Sequence, residues 1–98
     1  MAKVIAKPSK GPGTFEKRLA TALRDGLKAA GVRAEVDSEP VRGTKLRRVY
    51  VTAKGFENLR ASERQDLVWR IVGFSFPPED QLKISMILTL TPVELGQK

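Results

Sequence analysis

Five basic side chains fall between residues 42 and 54, and no acidic residue stands among them. They are Arg42, Lys45, Arg47, Arg48 and Lys54. Guanidinium and ammonium groups donate charged hydrogen bonds, so a run of them suits phosphate and other anions. The pattern predicts an anion-binding strip. The alternative is a solvated strand face that only keeps the protein soluble.

The positive charge of the chain is unevenly distributed. Eighteen Lys and Arg residues against eleven Asp and Glu residues give a net charge of +7. Residues 1–13 contribute Lys3, Lys7 and Lys10 without any acid, whereas the chain outside this segment and the strip is nearly balanced. Such clustering is typical of an electrostatic footprint for a polyanion.

The residue types exclude several kinds of chemistry. The chain has no Cys and no His, which removes disulfides, Cys/His zinc sites, thiolate nucleophiles and the imidazole base of most general-base mechanisms. The acidic residues are dispersed and suggest no paired-carboxylate site. We therefore expect a protein that is not an enzyme and that has no catalytic residue, metal or cofactor.

The sequence also predicts where the protein resides and how it is divided. No run of 18 apolar residues occurs, and the start of the chain lacks the apolar segment of a secretory signal. We expect a cytoplasmic protein that does not enter a membrane. Residues 1–13, interrupted by Pro and Gly, are predicted to form a flexible basic arm, 14–95 a single domain and 96–98 a tail.

The first predicted element is a helix that begins at Thr14 and ends at Gly31. Thr14 suits the N-cap, and Gly31 suits the left-handed residue that closes a helix. Gly26 inside the helix suggests a close packing contact. One apolar stripe follows the helical period, formed by Phe15, Leu19, Ala22, Leu23, Leu27 and Ala30.

Three strands are predicted from residues that alternate between apolar and polar. The first covers 32–37, and a loop at 38–45 leads to the second at 46–53. In the second strand Val49, Val51 and Ala53 are predicted to point inward, and Arg48 and Tyr50 outward. The third strand, which begins at Ile84 and continues to Thr91 before Pro92, is apolar on both faces near Ile87, which favours a central position in the sheet.

A second helix is predicted between the second and third strands. Ser62 and Gln65 suggest a capping box, and Gly73 suggests the helix end. Trp69 lies off the apolar stripe, which indicates a half-buried indole at its rim. The buried stripe is predicted to be Leu67, Val68, Ile71 and Val72.

The element order defines the fold class. Pro77 and Pro78 allow a short helical turn before the last strand, so the order is α-β-β-α-(short helical turn)-β. This order predicts an α+β domain, with a three-stranded sheet and helices packed on one face.

The stretch from residue 49 to 73 resembles the central motif of the BolA-like family. The matching positions are Phe56, Glu63, Arg64, Leu67, Val68 and Trp69. Thr91, Pro92 and Glu94 resemble the closing motif of that family, and residues 36–38 resemble the end of its first strand. The resemblance covers roughly residues 18–95 and implies a fold close to the type II KH nucleic-acid modules.

The same resemblance implies two activities, and departures from the motif bear on both. Family members share a [2Fe–2S] cluster with a monothiol glutaredoxin through His or Cys ligands. This chain has Lys83 and Gln65 at two histidine positions, so we expect cluster sharing to be lost. The other implied activity is transcriptional regulation through nucleic-acid contact, although the chain lacks the G-x-x-G loop of KH modules.

Two functional hypotheses follow from the sequence. The first is a nucleic-acid-binding module for DNA or RNA, whose site consists of Arg42, Lys45, Arg47, Arg48, Tyr50, Lys54 and Lys83. Tyr50 could stack on a base or serve only as a cross-strand packing residue. The second is an adaptor for a glutaredoxin-like or other acidic protein, with contacts from Arg64, Trp69, Phe74 and Phe76. The oligomeric state is left open.

Overall fold

The structure is a computed structural model that describes residues 14–96 of the 98-residue chain. The predicted arm at 1–13 lies outside the described residues, as do the last two residues of the predicted tail. The predicted α+β fold and element order are confirmed. The elements are α1 (Phe15–Ala29), β1 (Glu35–Pro40), β2 (Arg47–Thr52), a 3₁₀ helix (Lys54–Asn58), α2 (Ala61–Ser75), α3 (Pro78–Gln81), β3 (Ile84–Leu90) and α4 (Pro92–Gly96).

The three strands form one mixed sheet in the order β1-β2-β3. β1 pairs with β2 in antiparallel orientation, and β2 pairs with β3 in parallel. The central strand is therefore β2, and the predicted central position of β3 is wrong. The free edge of β3 is covered by α2, because Gln65 Nε2 donates to Ile87 O at 2.7 Å and Arg64 Nη1 donates to Thr89 O at 3.2 Å. This cover accounts for the apolar sequence of an edge strand.

β3 contains a bulge that changes which of its side chains face the core. Arg47 pairs with Ile84, but the next residue, Arg48, pairs with Met86. The extra residue, Ser85, places Ile84 and Ile87 on the same buried face although they are three positions apart. Met86 lies on the other face and is 44% exposed. Simple alternation therefore does not describe this strand.

The core lies between the sheet and the two long helices. In the stripe predicted for α1 the three leucines Leu19, Leu23 and Leu27 are buried, as expected. Ala30, at the end of that stripe, is exposed. The inward set of β2 is also confirmed. Around the leucines pack Val49, Val51, Ala53, Phe56, Val68 and Val72. These helices leave the opposite face of the sheet open, and we call it the open face.

The ends of the two long helices differ in how well the sequence predicts them. In α1, Thr14 Oγ1 accepts a hydrogen bond from Lys17 N at 3.3 Å, and Gly31 has φ of 84°, so both predicted end signals are confirmed. The capping box predicted at Ser62 and Gln65 is wrong. The N-cap of α2 is Arg60, two residues before Ser62, and Glu63 Oε1 accepts from Arg60 N at 2.8 Å. The helix also continues through Gly73 to Ser75.

β1 starts later and ends later than predicted, running from Glu35 to Pro40. Val32 is buried but belongs to the connection from α1. Pro40 has no N–H group to donate, and an edge strand tolerates it at its end. This shift of β1 by three residues brings Glu39 opposite Arg48.

The two long helices approach each other closely at Gly26. A Cβ atom at this position would lie 2.8 Å from Ile71 Cγ2, nearer than packed atoms come. The packing contact predicted for Gly26 is therefore confirmed. Within residues 14–96, no helix is long and apolar enough to cross a membrane.

Candidate nucleic-acid interface

The loop between β1 and β2 is held by its own hydrogen bonds, and we call it the basic loop (residues 41–46). Val41 N donates to Leu46 O at 3.0 Å. Thr44 Oγ1 donates to Val41 O at 2.8 Å and accepts from Leu46 N at 3.0 Å. Gly43 adopts φ of 81°, a conformation that suits glycine. The ordered loop carries Arg42 and Lys45, which are both exposed.

Arg47 and Lys83 lie at the same end of the sheet as the basic loop. Arg47 follows the loop in sequence, and its backbone N donates to Lys83 O at 2.8 Å. The Lys83 ammonium lies 5.1 Å from the ring centroid of Phe15, close to the start of α1. We call Arg42, Lys45, Arg47 and Lys83 the basic end. Four of the seven predicted nucleic-acid contacts therefore come together.

The four cations of the basic end are not equally available. Arg47 Nη1 forms an ion pair with Glu16 Oε2 at 3.1 Å, and Lys83 Nζ forms one with Asp80 Oδ1 at 2.8 Å. Neither Arg42 nor Lys45 has a carboxylate partner within residues 14–96. These two side chains are thus the ones best able to meet an anion without losing an existing ion pair.

Arg48 and Tyr50 lie on the open face, as predicted, but both contact the same carboxylate. Arg48 Nη1 lies 2.5 Å from Glu39 Oε2, and the Tyr50 hydroxyl donates to the same oxygen at 2.7 Å. The hydrogen bond from Tyr50, and next that from Arg48, lower the pKa of Glu39. Tyr50 therefore makes a cross-strand contact, and Glu39 compensates the charge of Arg48.

Lys54 lies at the opposite end of β2, in the 3₁₀ helix. It lines a shallow pocket there together with Arg33. Six strand residues separate it from the basic loop, a distance of about 20 Å at the usual rise of a strand. The predicted strip is thus divided between the basic end, the open face and the far end of the sheet.

The open face carries negative charge along one edge and apolar side chains along the other. Strand pairing places the acidic residues Glu35, Asp37 and Glu39 across β2 from Leu90, Leu88 and Met86. Carboxylates repel phosphate, so this face is less suited to a nucleic acid than the basic end. The open face therefore differs from the aromatic sheet surface on which some modules bind RNA.

Arg64 is buried, and the prediction that it contacts a partner is wrong. Its Nε donates to Phe56 O at 3.0 Å and to Leu59 O at 3.1 Å. Its Nη1 donates to Thr89 O at 3.2 Å and to Glu94 Oε1 at 2.8 Å. These bonds tie α2 to the 3₁₀ helix, β3 and α4, so Arg64 links elements of the fold.

Glu94 completes this group of contacts at the start of α4. Its carboxylate accepts from Thr91 N at 2.8 Å, while its own N donates to Thr91 Oγ1 at 3.1 Å, which makes a capping box. The Thr91 N–H, and next the Arg64 side chain, lower the pKa of Glu94. We call Phe56, Arg64, Thr91 and Glu94 the arginine node; all four are among the positions at which the sequence resembles the BolA-like motif.

The aromatic residues predicted to meet a partner separate into exposed and covered ones. Phe76 is buried against Phe15, with ring centroids 5.4 Å apart, so its predicted surface role is wrong. Trp69 is half-buried as expected, and its Nε1 donates to Gln65 Oε1 at 3.1 Å. Phe74 is 94% exposed and remains available for a contact.

No family model matches this chain, and the curated proteins compared with it include no match. Among residues 14–96, no cluster of three or more acidic residues is placed to hold a metal ion. The fold defines a small α+β domain. The BolA-like resemblance stays a prediction, and the functional inference rests on the residues and geometry of this chain.

Proposed function

We propose that this protein is a small, non-enzymatic nucleic-acid-binding module of BolA-like type, whose basic end contacts the phosphate backbone. The observation that carries the proposal is the position of Arg42 and Lys45. Both are exposed on an internally bonded loop and lack a carboxylate partner within residues 14–96. Lys83 and Arg47 lie beside them at the adjoining strand ends, where each is paired with a carboxylate.

The contacts of such a site are mainly with phosphate. The Phe15 ring packs edge to face on Phe76, and Tyr50 is bonded to Glu39. Neither ring is arranged as a free platform for a base. Phosphate contacts fix position but carry no sequence information, so we expect similar affinity for different sequences and strong dependence on salt.

The described part of the chain begins at Thr14, near the basic end. Thr14 is followed by Phe15, whose ring lies beside Lys83. Lys3, Lys7 and Lys10 therefore belong to a segment that joins the chain next to the basic end. We infer that these lysines supply further phosphate contacts.

Fluorescence anisotropy of labelled single-stranded RNA and of duplex DNA tests the proposal. With two to four phosphates neutralised, a rise in salt from about 50 to about 200 mM should lower affinity for duplex DNA between about tenfold and about 150-fold, and affinity for single-stranded RNA between about sevenfold and about 50-fold. The double substitution Arg42→Ala/Lys45→Ala should weaken binding at least about tenfold.

The matched control is the double substitution Arg48→Ala/Lys54→Ala, which removes the same charge from the open face and the far end. It should retain most of the affinity. Absence of binding at the lower salt concentration, or equal losses in the two double variants, would show that the basic end is not a nucleic-acid site.

A second candidate function is an adaptor for an acidic protein. It is favoured by Phe74, a large apolar side chain that is 94% exposed at the end of α2. A glutaredoxin-like partner remains a prediction, and a cluster shared with it would lack His and Cys ligands from this chain.

A further inference from the structure

An open groove runs between α1 and α2 on the side away from the sheet, and we call it the helix groove. Two adjoining cavities of about 540 Å³ each form it, with Ala22 and Ser75 lining both. Ala22 and Ile71 give it an apolar floor, and Phe74 stands at its rim. The groove is therefore large enough for several side chains of a bound segment.

The close approach of the helices defines the shape of the groove. Gly26 has no side chain at the point where Ile71 crosses α1, so the two backbones pack closely. Phe74 follows three residues after Ile71, and none of its neighbours in residues 14–96 covers it. An apolar floor and an uncovered aromatic side chain at its rim are thus side by side.

The rim of the helix groove is predominantly positive. Lys17 and Arg18 line one cavity, and Arg70 lines the other beside a single acid, Asp25. None of the three cations forms an ion pair with another residue of 14–96. The Arg18 guanidinium lies 5.8 Å from the ring centroid of Phe76, which holds it at the groove. This charge complements an acidic partner.

We propose that the helix groove docks an acidic, amphipathic segment of another protein. Apolar side chains of that segment lie against Ala22, Ile71 and Phe74, while its carboxylates meet Lys17, Arg18 and Arg70. The aliphatic floor and the exposed Phe74 favour a peptide over a nucleic acid, whose phosphates would gain nothing from them. This site is distinct from the basic loop and does not depend on the proposed nucleic-acid function.

A second copy of the chain is a less suitable occupant. The acidic and apolar residues of the open face complement the helix groove, but the two surfaces lie on opposite sides of the molecule. Such a head-to-tail contact does not close on itself unless its rotation forms a ring, and otherwise builds open polymers. A segment of a different protein can bind in the groove without leading to such polymers.

Binding of a designed peptide tests the proposal on the full chain. The probe is a fluorescein-labelled peptide of about a dozen residues, with Glu on one helical face and Leu on the other. Its control is the same peptide with every Glu replaced by Lys. We expect saturable binding of the acidic peptide, measured by anisotropy, and none of the basic one.

Two substitutions locate the site. Phe74→Ala and Arg70→Glu should each weaken the peptide at least about fivefold, because they remove the apolar anchor and reverse a rim charge. The matched controls are Leu82→Ala, at a residue 76% exposed outside the groove, and Arg42→Glu in the basic loop. Both controls should bind the acidic peptide as the wild type does, and circular dichroism should show unchanged folding in all four variants.

Four results would overturn the proposal. The first is failure of the acidic peptide to bind, and the second is equal affinity of Phe74→Ala and Leu82→Ala. The third is self-association of the wild type that Phe74→Ala abolishes, measured by light scattering, since a second copy would then occupy the groove. The fourth is a loss of RNA binding in Phe74→Ala as large as its loss of peptide binding, since the groove would then belong to the nucleic-acid surface.

Discussion

Replacing Arg64 by Ala should destabilise the domain severely, although a charged residue on a helix is usually a mild site to change. The side chain is buried and donates to three backbone carbonyl groups. Phe56 O keeps a second donor, Leu59 N, at 3.0 Å. Leu59 O and Thr89 O lose the side chain that bonds them.

The expected loss follows from these two carbonyl groups. An unsatisfied buried acceptor costs about 1 to 3 kcal/mol, and removal of the aliphatic part of Arg64 adds a cavity beside Phe56. Because both bonds are only partly buried, we take the lower part of that range and expect about 3 kcal/mol in total. That is a large fraction of the roughly 5 to 15 kcal/mol by which a domain is stable.

Urea unfolding followed by circular dichroism measures the change in the free energy of unfolding. Arg24→Ala is the matched control, since Arg24 is exposed on α1 and has no ion pair within residues 14–96. It should change stability by less than about 0.5 kcal/mol. Arg64→Lys keeps the charge but loses the planar fork of donors, so its stability should fall between the two. If Arg64→Ala were as stable as Arg24→Ala, the arginine node would not support the fold as described.

Further predictions concern pH, helix packing and the open face. The pKa values of Glu39 and Glu94 are lowered in the folded state, so the unfolded chain binds more protons in acid. The free energy of unfolding should therefore be constant above about pH 5 and fall as the pH drops below the ordinary glutamate pKa near 4.5. Urea unfolding at several pH values measures this decline, which should be less steep in Glu94→Gln. Gly26→Ala should lower the free energy of unfolding by about 1 kcal/mol, since overpacking against Ile71 outweighs the gain in helix propensity. In a chain that already carries Ile71→Ala, the same substitution should leave the free energy of unfolding unchanged or raise it. A gain in stability from Gly26→Ala alone would mean that the helices separate at little cost. Tyr50→Phe removes the hydroxyl that donates to Glu39, so it should raise the pKa of that carboxyl without weakening RNA binding. NMR titration measures this pKa, and an unchanged value would contradict the assigned contact.

Much of the fold is readable from periodicity. In α1, three leucines at spacings of four residues predict the buried face, and the cap at Thr14 is also correct. The sequence could not place β3 at an edge, because its apolar residues reflect cover by α2 rather than a strand on each side. The bulge at Ser85 depends on how β3 pairs with β2, and no local sequence pattern predicts it.

The candidate site was only partly predictable. Clustering of cations correctly drew attention to Arg42 and Lys45, but the sequence does not show which cations already have a carboxylate. Glu39 was missed as the partner of Arg48, because the predicted β1 ended at residue 37, before the position that pairs with it.

The burial of Arg64 did leave a signal in the sequence. Arg64 stands four residues before Val68 and eight before Val72, so the three share one helical face. A charged residue on a buried stripe implies internal hydrogen-bond partners. Its acceptors, however, come from the 3₁₀ helix, β3 and α4, which only the tertiary structure brings together.

The salt dependence of RNA binding is the most direct test of the basic end as a phosphate site. Affinity of the wild type and of Arg42→Ala/Lys45→Ala would be measured by anisotropy at several salt concentrations between about 50 and about 200 mM. If both side chains contact phosphate in single-stranded RNA, the slope of log affinity against log salt should become shallower by about 1.4 in the double variant, and by about 1.8 on duplex DNA. Parallel lines for the two proteins would contradict the account, because they would show that Arg42 and Lys45 release no counterions on binding.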